Sequence, residues 1–239
     1  MKRINLGLSI LCLFAWACHK YVAEPSNPLN GLVVTINGGN PVRADNFSVV
    51  PVVLNKSADS LTDSARVYFS SSEGSFLNIS SLFSNELATG YLKIGEDTGT
   101  YFLTLKLMQD SQTITQKDTS FRVLEAYPDG VAFETNRSFA STDTPMTISM
   151  ALRRNVGWPT KGQTVSLRAI QISLLGIPQS VGRFEGILSN YSDSVGNLTP
   201  VTFFSDTKDI DTTRVVFVIA STINDAGFPV MDTLMIQYQ

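Results

Sequence analysis

Short runs of β-branched and aromatic residues, the lack of any helix-length window with an apolar stripe at helical period, and turn-forming clusters between the runs predict an all-β protein. About seven such runs per roughly hundred residues indicate antiparallel β-sandwiches of Ig-like type. The 239 residues have room for two of them in tandem.

The N-terminus reads as an address. Met1-Lys2-Arg3 is a positive n-region, and Ile4 to Phe14 is an apolar stretch too short to anchor in a bilayer. The small residues Ala15 and Ala17 immediately before Cys18 resemble the lipobox of bacterial lipoproteins. That resemblance implies residues 1–17 as a signal peptide, Cys18 as the lipidation site, and a stable membrane attachment through its acyl chains. The alternative is an ordinary signal peptide cut near Ala17, with Cys18 a bystander. His19 stands where an aspartate would resemble an inner-membrane retention signal, so the resemblance favours the outer membrane of a Gram-negative cell, on its surface or facing the periplasm.

Residues 18–30, with Pro25 and Pro28 among Ala, Glu, Ser and Asn, read as an extended tether. The first sandwich is expected over residues 31–125. Leu32, Val34 and Ile36 alternate against Val33 and Thr35 until Gly38-Gly39-Asn40-Pro41 stops the strand. Further strands are expected at Val49 to Leu54, Ala65 to Ser70, Gly99 to Met108 and Ser120 to Leu124. Ser81 to Ala88 reads as a helical turn or two. Ala126-Tyr127-Pro128-Asp129-Gly130 is a turn-forming pause and the expected boundary. The second sandwich follows over residues 131–239, with strands at Met146 to Leu152, Thr164 to Ile170, Val201 to Ser205, Arg214 to Ser221 and Thr233 to Tyr238.

The halves match as an internal repeat. Val67 falls over Val165, at an offset of 165 − 67 = 98; Gly74-Ser75-Phe76 falls over Gly182-Arg183-Phe184, at 182 − 74 = 108; Asp118 falls over Asp232, at 232 − 118 = 114. Offsets that grow between strands mean loop insertions in the second copy, the first near Ile172 to Gln179.

Gly157-x-Pro159-x-x-Gly162-x-x-Val165, then Gly182-x-Phe184, then Tyr191 to Thr199 with Gly196 at its turn, resembles the bacterial Ig-like domains of the invasin and intimin type. The resemblance covers most of residues 131–239 and is weaker over 31–125, where Glu73-Gly74-Ser75-Phe76 is kept. It implies spacers and adhesive surfaces rather than enzymes.

Composition narrows the chemistry. Cys12 would leave with the signal and Cys18 would carry lipid, so no thiol remains for a disulfide, a metal or a nucleophile, and the one histidine, His19, lies beside the lipid site. A Ser-His-Asp triad and histidine-ligated metals are thereby excluded from the folded body. Without Lys2 and Arg3 the formal charge passes from −3 to 16 − 21 = −5, with no basic cluster to track phosphates, so nucleic acid is not an expected partner. No cofactor, metal or catalytic residue is expected.

Trp158, between Gly157 and Pro159 in an expected turn, is the candidate ligand contact, for a protein or a glycan. Its other reading is as a lid on the sandwich end or a wedge between the domains. Asp206, Asp209 and Asp211 crowd one loop, but its spacing lacks the glycine and glutamate of a calcium loop. The triplets at Asp59, Asp63, Asp193 and Asp232, each followed by Ser or Thr and an apolar residue, resemble O-glycosylation acceptors and equally suit turn chemistry. The resulting expectation is a lipid-anchored envelope protein with a binding or adhesive role. The alternatives are a glycan-capture accessory of an uptake system and a periplasm-facing spacer.

Overall fold

A computed structural model describes residues 32–37, 41–56, 64–135, 139–141, 144–187, 190–205 and 208–238. The expected signal peptide, Cys18 and the expected tether lie outside these residues. So do Asp59, Asp63 and Asp206.

The first half contains β1 (Leu32–Ile36), β2 (Val42–Arg43), β3 (Val49–Lys56), β4 (Arg66–Ser71), β5 (Ser75–Phe76), β6 (Ser80–Leu82), β7 (Leu87–Lys93), β8 (Gly99–Gln109) and β9 (Gln112–Leu124). They form one sheet in the order β1-β3-β7-β5 and a second in the order β2-β9-β8-β4-β6. Alternation decides which side chains meet between the sheets: Val50, Val52 and Leu54 from β3 face Leu103, Leu105 and Leu107 from β8 across one buried cluster. The helical turn expected over Ser81 to Ala88 is absent. Ser84 and Leu87 instead exchange backbone hydrogen bonds in a tight turn between β6 and β7, because Leu82 and Leu87 each take up a ladder.

The second half contains β10 (Gly130–Phe133), β11 (Phe139–Ala140), β12 (Met146–Ile148), β13 (Met150–Arg153), β14 (Ser166–Ile172), β15 (Pro178–Ser180), β16 (Arg183–Glu185), β17 (Val201–Phe204), β18 (Val216–Ile223) and β19 (Pro229–Tyr238). Its five-stranded sheet runs β11-β19-β18-β14-β15, the order of the first half, against β10-β13 and β12-β17-β16. A second buried cluster, from Val131 to Ile236, fills the space between them. Met146 to Leu152, expected as one strand, is broken at Ser149. The Ser149 N–H bonds the Thr135 hydroxyl and its carbonyl accepts from Glu134, so β12 pairs with β17 while β13 pairs with β10.

Two short pairings are parallel, β2 with β9 and β11 with β19, the same exception to antiparallel order in each half. The Gly-x-Phe match is a structural equivalence. Gly74 and Gly182 both have positive φ, and a Cβ on either would stand 2.6 or 2.7 Å from a backbone oxygen, of Lys93 or Phe204. Phe76 and Phe184 then pair with Leu92 and Phe203.

The Asp118–Asp232 match, however, slips by one residue. Phe69 pairs with Leu105 and Leu105 with Lys117, as Leu167 pairs with Ala220 and Ala220 with Asp232. The offset of 98 therefore leads to 232 − 117 = 115, and Lys117 is the counterpart of Asp232. Asp118 points to the outer face, where the Thr104 hydroxyl donates to it. Lys117 and Asp232 both reach the first strand of the opposite sheet, at the Leu32 carbonyl and the Phe133 N–H respectively.

Candidate interaction surfaces

Residues from both halves meet where β9 ends and β10 begins. Ala126 is fully buried and its N–H donates to the Thr160 hydroxyl, which in turn donates to the Ala44 carbonyl. One hydroxyl thus joins the linker, the first half and the second. The loop after β18 supplies Asp225, whose carboxylate accepts from the Tyr127 N–H at 2.8 Å and from Arg154 at 3.0 Å, with Arg43 at 3.6 Å. Arg154 is 9% exposed and also bonds the Tyr127 carbonyl. A cation this enclosed needs such partners to offset the lost hydration.

Trp158 sits on this junction. Its N–H donates to the Asp45 carbonyl at 2.9 Å, while its side chain is 40% exposed. The loop that receives it is held by Asp45, a buried carboxylate accepting the N–H groups of Phe47 and Ser48 and the Ser48 hydroxyl, which turns Phe47 outward. A cleft of about 270 Å³ beside it is walled by Asp45, Val50, Arg154 and Val156, without the indole of Trp158. On the other side of Arg43, a cleft of about 350 Å³ lies between Arg122, Glu125 and Tyr127. A hydrogen bond to Glu125 pushes the Tyr127 phenol up, with burial adding to it.

The far end of the second half presents different chemistry. β14 starts beside the junction, with Ser166 opposite Ser221, and ends away from it at Ile172. The hairpin to β15 there exposes Leu174 by 91% and Leu175 by 85%. Nothing in strand alternation asks for two adjacent leucines in a solvent-facing turn. The chain enters the first half at the opposite pole, since Asn37, after β1, faces the junction cleft and Leu32 starts that strand.

Asp211 and Asp193 are committed to local geometry. Asp211 takes the Thr213 hydroxyl and N–H and pairs with Arg214, which hold its carboxyl below the usual range, and the loop is fastened from inside by the buried amide of Gln171. Partial burial raises the Asp193 carboxyl, but the N–H groups of Val195 and Asn197 outweigh it and leave the carboxyl below its ordinary value. Asp232, in the fourth triplet, lies within β19. Among the described residues no group of three His, Cys, Asp or Glu could hold a metal ion.

One further hydrogen bond marks the first half. Tyr101, at the start of β8 and 1% exposed, donates its hydroxyl back to the Asp97 carbonyl at 3.0 Å, the tyrosine corner that ties strand F of Ig-like sandwiches to the preceding turn. Both halves, with one sheet order between them, are Ig-like β-sandwiches. No protein-family model and no curated protein matches the chain. Among solved structures it is similar to the Yersinia pseudotuberculosis adhesin InvE, at 14% identity and a TM-score of 0.47 over 86% of this chain and 60% of that one. It is also similar to invasin, a bacterial integrin-binding protein, at 13% and 0.37 over 87% and 40%. A third likeness is the two-domain fibronectin type-III segment of chicken tenascin, at 11% and 0.38 over 85% and 96%. The chain thus spans less than two thirds of the InvE chain.

Sequence reasoning missed the corner, although Asp97-Thr98-Gly99-Thr100-Tyr101 carried a signal: a tyrosine two residues before the inward Leu103 at the start of a long strand. It also attached no role to Leu174 and Leu175 beyond placing them in an insertion.

Proposed function

We propose that this chain is a lipid-anchored protein of the cell envelope whose two Ig-like domains, residues 31–125 and 131–239, act as a non-enzymatic binding or adhesion module. The observation that carries the reading is polar: Leu32 enters at one end of the pair, and Leu174 and Leu175, the most exposed leucines among the described residues, stand at the other. A tether from Cys18 would therefore present the leucine-bearing end away from the anchoring membrane. The junction hydrogen bonds support presentation as one unit.

Antibody labelling of intact cells, beside permeabilised cells and a Cys18→Ser variant, tests this. Surface labelling that leaves the membrane fraction in the variant is expected. Labelling only after permeabilisation would overturn the adhesive role in favour of a periplasmic spacer.

A glycan-capture role is a second reading, favoured by the partial exposure of Trp158, whose backbone is bonded to Asp45 in the wall of one junction cleft. It predicts saturable quenching of tryptophan fluorescence by an oligosaccharide. Flat titrations across a broad panel would remove it.

A further inference from the structure

We infer that the distal end of the second domain is a self-association surface whose occupant is a second copy of this chain. The inference rests on the binding-module reading and names its partner. On the outer face of the sheet Ile170, Phe217 and Met235 are cross-strand neighbours, and Ile172 continues the row toward the hairpin. A hollow of about 360 Å³ opens there between Ile172, Leu174, Arg214 and Phe217. Leu174 forms one wall of it, and Leu175 projects beside it. An apolar knob thus lies beside a hollow whose walls are apolar except at Ser173 and Arg214, and both are on one surface, which is the condition for an isologous contact: a two-fold axis puts each knob into the other copy's hollow.

The knob is preorganised. Ser173 N–H donates to the Ile177 carbonyl, Gly176 N–H to the Ser173 carbonyl, and Ile177 N–H to the Ser173 hydroxyl, while Arg214 donates to the Ile172 carbonyl. Holding two leucines in water on an ordered turn lowers the ordering cost of a later contact. Ile172, Leu174, Leu175 and Met235 are all exposed, and neighbouring exposed apolar side chains of this kind often mark an interaction site. Together they would form the core of a contact of about 800 Å² per copy.

Two other occupants fit less well. The Ile177 carbonyl and the Val181 N–H bond toward β14, so the ring nitrogen of Pro178 faces the free edge of β15 and blunts addition of an extended peptide. A bilayer would be drawn by Lys or Arg flanking the leucines, yet the segment from Ser173 to Ser180 has neither, and Arg214 is already paired with Asp211.

Sedimentation velocity of the full chain, kept unlipidated by Cys18→Ser, tests the inference from about 1 µM to about 1 mM. A reversible dimer is expected, weakened about tenfold or more by the double substitution Leu174→Asp, Leu175→Asp and unaffected by Trp158→Ala. Because both leucines are exposed, the double variant should keep the parent's thermal transition. A monomer at every concentration overturns the inference, as does a dimer indifferent to the double substitution. Leucine-dependent co-sedimentation of a monomeric chain with phosphatidylcholine–phosphatidylglycerol vesicles overturns it in favour of a bilayer. Surface labelling decides the binding-module reading separately, so the two failures are distinguishable.

Discussion

The backbone N–H of Trp158 donates to the carbonyl of Asp45 across 2.9 Å, and the residue before it makes that approach feasible. Gly157 has φ of +70°, and a Cβ there would stand 2.7 Å from the Asp45 oxygen and 2.9 Å from the Phe47 Cβ. Gly157→Ala should therefore push the loop off the first domain while leaving both cores intact. A stability loss of about 1–3 kcal/mol is expected, with faster proteolysis in the linker from Ala126 to Gly130. Unchanged proteolysis would mean that the loop does not hold the junction.

Asp225 is the second fastening. Asp225→Ala leaves the Tyr127 N–H and the enclosed Arg154 without their carboxylate. Because Asp225 itself is partly exposed, the cost should be about 1–3 kcal/mol, below that of a fully buried pair. A double-mutant cycle with Arg154→Met, read by urea unfolding, should show coupling between the two sites. Additive losses would contradict the ion pair.

Tyr101→Phe removes the hydroxyl of the corner and keeps the ring against Phe121, whose centroid lies 5.6 Å away. A loss of about 1–2 kcal/mol is expected, because the Asp97 carbonyl loses its donor in a partly buried site. The second domain has Val216 at the corresponding inward position, so only the first domain's unfolding should move.

Asp193 makes an acid-dependent contribution. Its folded carboxyl lies below the ordinary value of 3.8 because backbone N–H groups favour the ionised form over the effect of burial. A group depressed on folding stabilises the fold above its unfolded pKa, and that stability is lost as pH falls through the folded pKa. Asp193→Asn should therefore shallow the pH dependence of the melting temperature below about pH 4. An identical acid limb in variant and parent would count against this turn.

The two ends of the repeat show how far local pattern reaches. Val67 over Val165 and Gly74 over Gly182 survive in three dimensions because a buried strand and a positive-φ glycine against a neighbouring backbone each restrict the residues allowed. Asp118 and Asp232 share a letter and not a face. Successive strand residues point to opposite sides, so a slip of one residue exchanges core for solvent. Only the ladders from β4 to β9 and from β14 to β19 reveal it. Ser81 to Ala88 failed for a related reason: eight residues of mixed character have no strong local preference, and pairing with β4 and β3 decided them.

By itself the sequence determined that this chain is built of strands, that two sandwiches fit its length, and that no histidine or cysteine follows His19. These follow from alternation, turn residues and composition, which act over a few residues or none. Tertiary structure decided the rest: the tyrosine corner's partner, the seat of Trp158, the enclosure of Arg154 and the leucines at the far pole. Those depend on groups brought together from far along the chain, 116 residues apart for Thr160 and Ala44 and 98 for Tyr127 and Asp225. No local pattern records which distant backbone a side chain will meet, because sheet pairing and domain docking choose it.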